Sequence, residues 1–469
     1  MLGEARAGLG LQRRKLDRWG KLELRYEADD TPPFDKVPWA PIADRDLSAL
    51  RVRVTKIATF NSAWEPEKTW KAFAESFASQ IITKGSGDLG LVQKRAREVA
   101  AGAQGERAKI EAIVDYVARM IEVDEKAERR SFTKLLRGGR GQSWRITALA
   151  REMLRAVGIK AHYVLIQIAN QDRFDDEFIS EAQLGESALA VWIDGKRHIV
   201  LPYVRYLQPG LLPPAYQERR ALLFDAKQGA RLITTPEHDS SKAQIDQELE
   251  LELHPKTKRV CISERTRYQG LWARPILALL DGLGADALRR TLSAHRQYRD
   301  GAIDSFSGRV QRSGLSSVTV KASYCTDNLM TVRPGVLVIS TAGLLGPVSR
   351  WRSRADKHRR RQVVLDTNTR TTARLRLRLP AGWTYRGCLP ASRHTTRFIT
   401  VEHRAKLRSG SLELSSTITK TRHSMPAGDA AKVLAMARRA NTNPMPTVVL
   451  ERAGSSSQPT SMPSTTCGK

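Results

Sequence analysis

The sequence predicts an α+β fold: a mixed front part of helices and strands, then a mostly β, sandwich-like C-terminal part with helical inserts. Three observations predict it. A helical pattern that begins at Ser143 leads into the β-branched segment 161–169. Strand-like segments 187–193 and 196–202 flank the hairpin dipeptide Asp194-Gly195. From residue 247 onward, apolar and polar residues alternate in one short segment after another, as in half-buried strands.

The segments before the Ser143 helix predict short strands followed by helices. Segments 21–28 and 50–60 have strand composition, and 62–78 has helical spacing with Pro66 near its start. Segment 106–124 carries apolar residues every three or four positions, which indicates one buried helical face. The aromatic side chains in 62–78 are expected in the core rather than on a ligand platform.

A glycine-rich loop leads to Ser143 at the start of the most strongly patterned helix. The glycines are Gly138, Gly139 and Gly141, and the helix ends at Gly158, which suits a left-handed C-cap. Its apolar residues follow helical spacing: Ile146, Leu149, Ala150, Met153, Leu154 and Val157. Unpaired N–H groups and the helix dipole stabilise negative charge at such a helix start, which activates a thiol placed there.

The C-terminal part follows a polar stretch, 237–246, that we expect to be a linker. Segments 247–254 and 259–268 predict a β-hairpin, and 273–298 has helical spacing that is broken at Gly282 and Gly284. Further strands are predicted at 316–324, 335–340, 361–367, 371–379, 397–405 and 410–419, with a last helix at 425–441. The low-complexity end, 453–469, is expected to be disordered.

The glycine loop, the helix at Ser143, the following strand and the hairpin together resemble the transglutaminase-like superfamily, a branch of the papain-like fold. In bacterial members the loop reads Gly-Asp-Cys before a helix that ends in an Ala-Gly-Ile-like segment. Here Gly141, Gln142 and Ser143 stand in those places. The resemblance implies a transglutaminase-like domain at 61–236 and a β-rich domain at 247–452. It also implies that residues 1–60 are the remnant of an N-terminal β-rich domain.

The same resemblance implies which residues occupy the family's Cys-His-Asp triad. Ser143 stands at the cysteine, and counting from the hairpin turn places Glu186 at the histidine and Leu201 at the aspartate. A serine needs an adjacent base, a carboxylate is weakly basic toward a hydroxyl, and a leucine cannot orient an imidazole. We therefore expect a catalytically inactive protein that acts as a binding or scaffold module. The alternative is a hydrolase or acyl-transferase in which Ser143 uses a base from elsewhere.

The charge of the chain suggests a third function. Its 469 residues carry a formal net charge of +29, which attracts nucleic acid and anionic surfaces. The densest basic run contains candidates for binding an anionic polymer: Arg350, Arg352, Arg354, Lys357, Arg359, Arg360 and Arg361. The other interpretation is a solvated loop, because arginine is dispersed over both parts of the chain and no recognised nucleic-acid-binding motif accompanies it.

Cysteine usage indicates neither a metal site nor a disulfide framework. The four cysteines are widely spaced, without a CxxC pair or a histidine cluster, so we expect no metal and no cofactor. A pairing among Cys261, Cys325 and Cys388 stays open, although buried free thiols are the simpler expectation.

Sequence patterns also bear on localisation. No apolar segment is long enough to span a bilayer, and the N-terminus lacks the apolar core of a secretory signal. As written, the chain reads as cytoplasmic, yet proteins of the family it resembles are often exported. Localisation and the protein or peptide partner therefore stay open.

Overall fold

The computed structural model describes residues 67–79, 89–128, 130–167, 174–225, 229–282, 316–341, 368–385, 387–421 and 447–453, with several short strands and a few single residues outside these ranges. The predicted α+β fold class is confirmed, with helices and a five-stranded sheet in the front part and an eight-stranded and a four-stranded sheet in the C-terminal part. The basic run at 350–361 and the tail beyond Ala453 lie outside the described residues.

Five α-helices lie in the front part of the described chain: α1 Trp70–Ala78, α2 Leu89–Ala100, α3 Gly105–Met120, α4 Phe132–Leu136 and α5 Ser143–Ala156. Helix α5 is the helix that the sequence predicts from Ser143, and its buried face packs on the first sheet. Helix α2 is not predicted by the sequence reasoning, because its buried face consists of Val92 and the small residues Ala96 and Ala100.

Two predicted helix boundaries are wrong. The helix expected at 62–78 begins only at Trp70, because the Thr69 hydroxyl caps it by accepting the N–H of Ala72 at 3.1 Å. The helix expected at 106–124 ends at Met120, where the backbone becomes extended. Residues of both predicted helices form short strands instead, β4 Ser62–Trp64 paired with β3 Ile57–Thr59 and β5 Ile121–Val123 paired with β6 Gly139–Gly141. A further short pair, β1 Gly10–Arg13 with β2 Leu24–Glu27, lies nearer the N-terminus.

A five-stranded antiparallel sheet carries the helices of the front part. Its strands are β7 Ala161–Ile166, β8 Glu186–Ile193, β9 Lys196–Val200, β10 Arg220–Asp225 and β11 Gly229–Thr234, in the order β11-β10-β7-β8-β9. The hairpin expected at Asp194-Gly195 is confirmed between β8 and β9. Both turn residues have positive φ, 51° and 73°, which an Asp-Gly pair adopts at low cost.

The two faces of this sheet belong to different apolar clusters. One face packs against α5 and includes Tyr163, Leu189 and Val191. The other face packs against the long connection after β9 and includes Ala188, Ala190 and Leu201. Because side chains alternate along a strand, neighbouring positions in β8 point to opposite clusters. This alternation decides which predicted site residues meet.

The C-terminal part contains an eight-stranded sheet in the order β14-β15-β13-β12-β19-β23-β22-β21. Its strands are β12 Ala243–His254, β13 Arg259–Gly270, β14 Ala302–Arg309, β15 Ser317–Thr326, β19 Arg370–Arg378, β21 Ala391–Thr395, β22 Ile399–Arg408 and β23 Ser411–Lys420. Strands β12 and β19 pair in parallel, and the other pairs are antiparallel.

A four-stranded sheet covers part of the inner face of the eight-stranded sheet. Its strands are β16 Met330–Arg333, β17 Val336–Ser340, β20 Trp383–Tyr385 and β25 Thr447–Arg452, and a separate pair consists of β18 Val363–Val364 and β24 Ser424–Met425. One apolar cluster joins residues of both sheets, such as Leu251 and Leu375 with Ile339 and Val448. The helical residues 273–282 cover a second stretch of the inner face.

Several C-terminal predictions need adjustment. Strand β12 begins at Ala243, so the predicted linker 237–246 overlaps it, and residues 240–242 form a 3-10 turn. Of the helix expected at 273–298, residues 273–282 and 284 are described and helical. Most of the helix expected at 425–441 lies outside the described residues.

Within the part of the chain that the structure describes, no helix is long and apolar enough to cross a membrane.

The expectation of free buried thiols is wrong. Cys261 on β13 and Cys325 on β15 stand opposite each other in register and form a disulfide, with 4.0 Å between their Cα atoms. Cys388 is disulfide-bonded as well. The sequence could not show the first pairing, because 64 positions separate the two cysteines and only the sheet register brings them together.

Candidate functional site

The glycine loop fixes the start of α5 through close backbone approach. Gly139 has φ 134° and Gly138 φ 88°, conformations that favour glycine. A Cβ at Gly141 would lie 2.7 Å from Leu135 Cδ2, so only glycine allows β6 to pass this close to α4. The loop therefore places Ser143 as the first residue of α5, with 8% of its surface exposed.

A carboxylate of the chain itself occupies the N-terminus of α5. The backbone N–H of Ser143 donates to Glu125 Oε1 at 3.0 Å, and the side-chain amide of Gln142 donates to the Glu125 carbonyl oxygen at 3.2 Å. Unpaired N–H groups at a helix start attract negative charge, and Glu125 supplies it here. Glu125 is absent from the sequence-based candidates, because it precedes Ser143 by 18 positions in a loop.

A buried arginine lies two residues after Ser143. Arg145 is 1% exposed, and its Nε donates to the Arg130 carbonyl oxygen at 2.9 Å. Its guanidinium lies 4.2 Å from the centre of the Phe132 ring. Burying a charged group is costly unless hydrogen bonds and ring contacts compensate, as they do here. Arg145 thus ties the first turn of α5 to the preceding loop and helix.

At the start of β8, the side chain on the face that packs against α5 is Ser187, not Glu186. The Tyr163 hydroxyl donates to Ser187 Oγ at 2.7 Å and lies 3.2 Å from the carbonyl oxygen of Trp144, the residue after Ser143. This link joins the start of α5 to the start of β8 through a fully buried tyrosine. Burial is the main cause that raises the pKa of the Tyr163 hydroxyl, so it stays protonated and remains a donor.

Glu186 shares the opposite face of the sheet with Ala188 and Ala190. Its Oε1 accepts a hydrogen bond from the Tyr203 hydroxyl, and its Oε2 accepts one from the Tyr216 hydroxyl at 2.8 Å. Burial, followed by the nearby Glu186 charge, raises the pKa of both tyrosines. Both hydroxyls therefore stay protonated, and the carboxylate is held by two donors.

Leu201 lies next to β9 and is 1% exposed within the apolar cluster of that same opposite face. The structure thus places Glu186 and Leu201 on one face of the sheet, while Ser143 begins the helix on the other. The three side chains do not converge on one point. Their assignment to the family's triad positions stays a prediction.

Sequence reasoning missed the residues that surround Ser143 in the fold. The alternation of side chains along 187–193 could have identified Ser187, because it lies on the same strand face as Leu189 and Val191. Glu186, one position earlier, lies on the opposite face. No local signal could have identified Glu125, Tyr163, Tyr203 or Tyr216 as partners. Among the residues that the structure describes, no group of three or more His, Cys, Asp and Glu side chains could hold a metal ion.

His198 is the histidine nearest to the hairpin in sequence, and it lies away from Ser143. It stands opposite Val191, four residues along β8 from Ser187, which corresponds to about 13 Å. Its ring packs on Gly210, where a Cβ would come within 2.5 Å of Nδ1. Burial is the main cause that lowers the pKa of His198. The register therefore separates this imidazole along the hairpin from Ser187, the β8 residue that is linked to the start of α5.

Comparison with known proteins supports the fold of the front part. Residues 93–201 match the family model of the Transglutaminase-like superfamily, a range that runs from α2 to Leu201 and includes Ser143. No curated protein matches the chain in sequence.

The whole chain is similar to the crystal structure of a putative protease from Parabacteroides distasonis ATCC 8503. The TM-score is 0.56 at 13% sequence identity, and the match covers 95% of this chain and 68% of that chain. At this identity the similarity concerns the fold alone.

Proposed function

We propose that this chain performs no acyl transfer at Ser143 and that its transglutaminase-like domain serves as a binding or scaffold module. One observation carries the proposal. The backbone N–H of Ser143 is bound to the Glu125 carboxylate, while no side chain in the described part of the chain hydrogen-bonds to Ser143 Oγ. In the described part of the chain no base is bonded to Ser143 Oγ, and the N–H of Ser143, a donor that a nucleophilic serine would need for the developing charge, is already bound to a carboxylate.

Glu125 opposes catalysis in two ways: it occupies the N–H donor of Ser143, and it places a negative charge beside it. Acyl transfer develops negative charge on an oxygen near the nucleophile, and enzymes stabilise it with donors aimed at that point. Here the N–H at the start of α5 already points at a carboxylate oxygen 3.0 Å away. A second negative charge would be repelled at this distance rather than stabilised.

The remaining predicted positions supply no proton chemistry to Ser143. Glu186 lies on the other face of the sheet with both carboxylate oxygens engaged by tyrosine hydroxyls. Leu201 is an apolar core residue. The alternative, a hydrolase or acyl-transferase that uses Ser143, would need a base that approaches Oγ to about 2.6–3.2 Å.

Covalent labelling tests the proposal. The full chain is treated with a serine-directed fluorophosphonate probe, with Ser143→Ala as the matched variant and thermal unfolding as the control for folding. We expect the two proteins to show equal labelling. Labelling of the wild type that disappears in Ser143→Ala would refute the proposal.

A second experiment isolates the role of Glu125. In Ser143→Cys, the pH dependence of alkylation by iodoacetamide reports the pKa of the new thiol. Because Glu125 opposes the helix dipole, we expect this pKa to remain close to the ordinary thiol value of about 8.5. In Ser143→Cys/Glu125→Gln the pKa should fall. Equal pH profiles of the two variants would mean that Glu125 does not control charge at this helix start.

A further inference from the structure

The outer face of the eight-stranded sheet is a continuous charged surface. Strands β12, β13, β19 and β22 bury every second residue and expose the residues between them. The exposed side chains surround a depression of about 750 Å³. We call this surface the basic face and define it by the basic residues that line the depression: Arg265, Lys321, Arg374, Arg376, Arg404, Lys406 and Arg408.

The sheet register aligns part of the basic face in one row across six neighbouring strands, from β15 through β13, β12, β19 and β23 to β22. The row reads Lys321, Arg265, Glu248, Arg374, Ser415 and Arg404. Neighbouring strands lie about 4.8 Å apart, so the row spans about 24 Å. Four of its six side chains are cationic, which presents an elongated positive surface rather than a single charge.

Glutamates neutralise only part of the basic face. Arg374 pairs with Glu248 at 3.5 Å, Arg376 and Arg378 pair with Glu250, and Arg408 pairs with Glu413 at 3.1 Å. In the described part of the chain, no carboxylate lies within 4.0 Å of the charged atoms of Arg265, Lys321 or Lys406. At the other end of the row, Arg404 pairs with Glu402 at 3.9 Å. The uncompensated positive charge therefore lies at the end formed by Lys321 and Arg265.

Arg265 and Lys321 stand directly opposite each other in the register of β13 and β15. Like charges opposite each other in a sheet destabilise it. An anionic group between the two side chains would remove this repulsion and gain two charge-assisted hydrogen bonds. This pair is the strongest local indication that the basic face binds an anionic ligand.

We propose that the basic face binds a linear acidic polysaccharide. The row length suits several sugar units, and Ser263, Ser323 and Ser415 add hydroxyl groups that can bond to sugar hydroxyls. The described lining residues are charged, serine or aliphatic, whereas proteins that bind single-stranded nucleic acid use aromatic side chains for stacking.

The disulfide supports a polysaccharide rather than a nucleic acid. Cys261 precedes Ser263 and Arg265 on the outward side of β13, and it is bonded to Cys325 across the same edge of the face. Disulfides persist in oxidising compartments and are rare in the cytosol, where nucleic acids are concentrated. The inference rests on the proposed binding role and adds the ligand class to it.

Binding of the full chain to polygalacturonate and to heparin tests the proposal, with dextran as the uncharged polysaccharide and single-stranded DNA as the competing polyanion. We expect Arg265→Gln/Lys321→Gln to bind both acidic polysaccharides about tenfold more weakly. Its unfolding temperature should stay unchanged or rise, because two repelling charges are removed. Dextran should show no binding.

A matched control variant distinguishes binding at the basic face from a general effect of the net charge of the protein. Lys94→Gln/Arg97→Gln removes the same two positive charges from exposed positions of α2. Its affinity should stay within about twofold of the wild type, because distant charges are screened at physiological salt. An equal loss of affinity in both double variants would overturn the proposal.

Two further results would also overturn it. One is no binding of either acidic polysaccharide at physiological salt. The other is binding of single-stranded DNA as tight as binding of the polysaccharides, with the DNA affinity reduced in Arg265→Gln/Lys321→Gln. That result would identify the ligand as nucleic acid. None of these results involves labelling at Ser143, so failure here is distinguishable from failure of the noncatalytic role.

Discussion

Protonation of His238 is expected to destabilise the fold in mild acid. Its Nε2 accepts the backbone N–H of Leu212 at 2.8 Å, and its own backbone N–H donates to Gln217 Oε1 at 3.0 Å. Its carbonyl oxygen accepts a hydrogen bond from the Asn368 side chain at 2.7 Å. His238 therefore connects the chain after β9 to the C-terminal part. A proton on Nε2 would place two donors against each other and break the bond to Leu212.

The size of the effect follows from the pKa of His238. Burial, followed by the nearby Lys242, lowers this pKa from 6.5 to about 4. Because the folded-state pKa is the lower one, the unfolded chain binds more protons, and stability is present above pH 6.5 and is lost as the pH falls toward 4. Each unit of pKa difference corresponds to about 1.4 kcal/mol. The loss is then about 2 kcal/mol at pH 5 and about 3 kcal/mol at pH 4.

Urea unfolding of the wild type and His238→Gln at pH 7 and pH 5 measures this contribution. Glutamine can accept the Leu212 N–H but cannot be protonated in this range. The variant should lose about 2 kcal/mol less than the wild type between the two pH values. His403, whose pKa burial also lowers, contributes equally to both proteins and cancels. Parallel pH dependence in the two proteins would refute the reasoning.

Three more predictions concern single contacts. Loss of the Cys261–Cys325 disulfide should cost about 4 kcal/mol, because it closes a loop of 64 positions. Reductant should lower the unfolding temperature of the wild type more than that of a Cys261→Ser/Cys325→Ser variant, in which only the disulfide of Cys388 is left to reduce, and equal shifts would contradict this. Arg145→Ala should cost about 3 kcal/mol in urea unfolding, because it removes a fully buried side chain and leaves its partners unpaired, and a cost below 1 kcal/mol would contradict this. Gly141→Ala should lower the free energy of unfolding by about 1–3 kcal/mol, because the new Cβ would crowd Leu135. Gly102→Ala is the control and should be neutral, because a Cβ there meets no atom within 4 Å. Equal effects of the two substitutions would show that crowding is not the cause.

The sequence was most informative where structure depends on neighbouring residues. The helix from Ser143, the Asp194-Gly195 hairpin and strands β12 and β13 follow from apolar spacing and from turn residues that accept positive φ. The helix at 62–78 was placed too early, because Thr69 rather than Pro66 marks its start. Helix α2 was missed, because a face of small residues gives little apolar contrast.

The candidate site depended on contacts that the sequence could not order. Counting from the hairpin turn selects Glu186, which is the first residue of β8. A shift of one residue decides whether a β8 side chain meets α5. In the fold, Ser187 reaches the start of α5 through Tyr163, and Glu186 binds two tyrosines on the other face. The disulfide likewise depends on the register of β13 and β15.

By itself, the sequence determined the helix start at Ser143, the hairpin and the alternating strands, because each arises from interactions within a few residues. Only the tertiary structure decided that Glu125 occupies that helix start, that Leu201 joins an apolar cluster and that Arg265 faces Lys321. These outcomes depend on which distant segments pack together. Packing is settled by the fit of whole faces and by strand register, and no local pattern encodes either one alone.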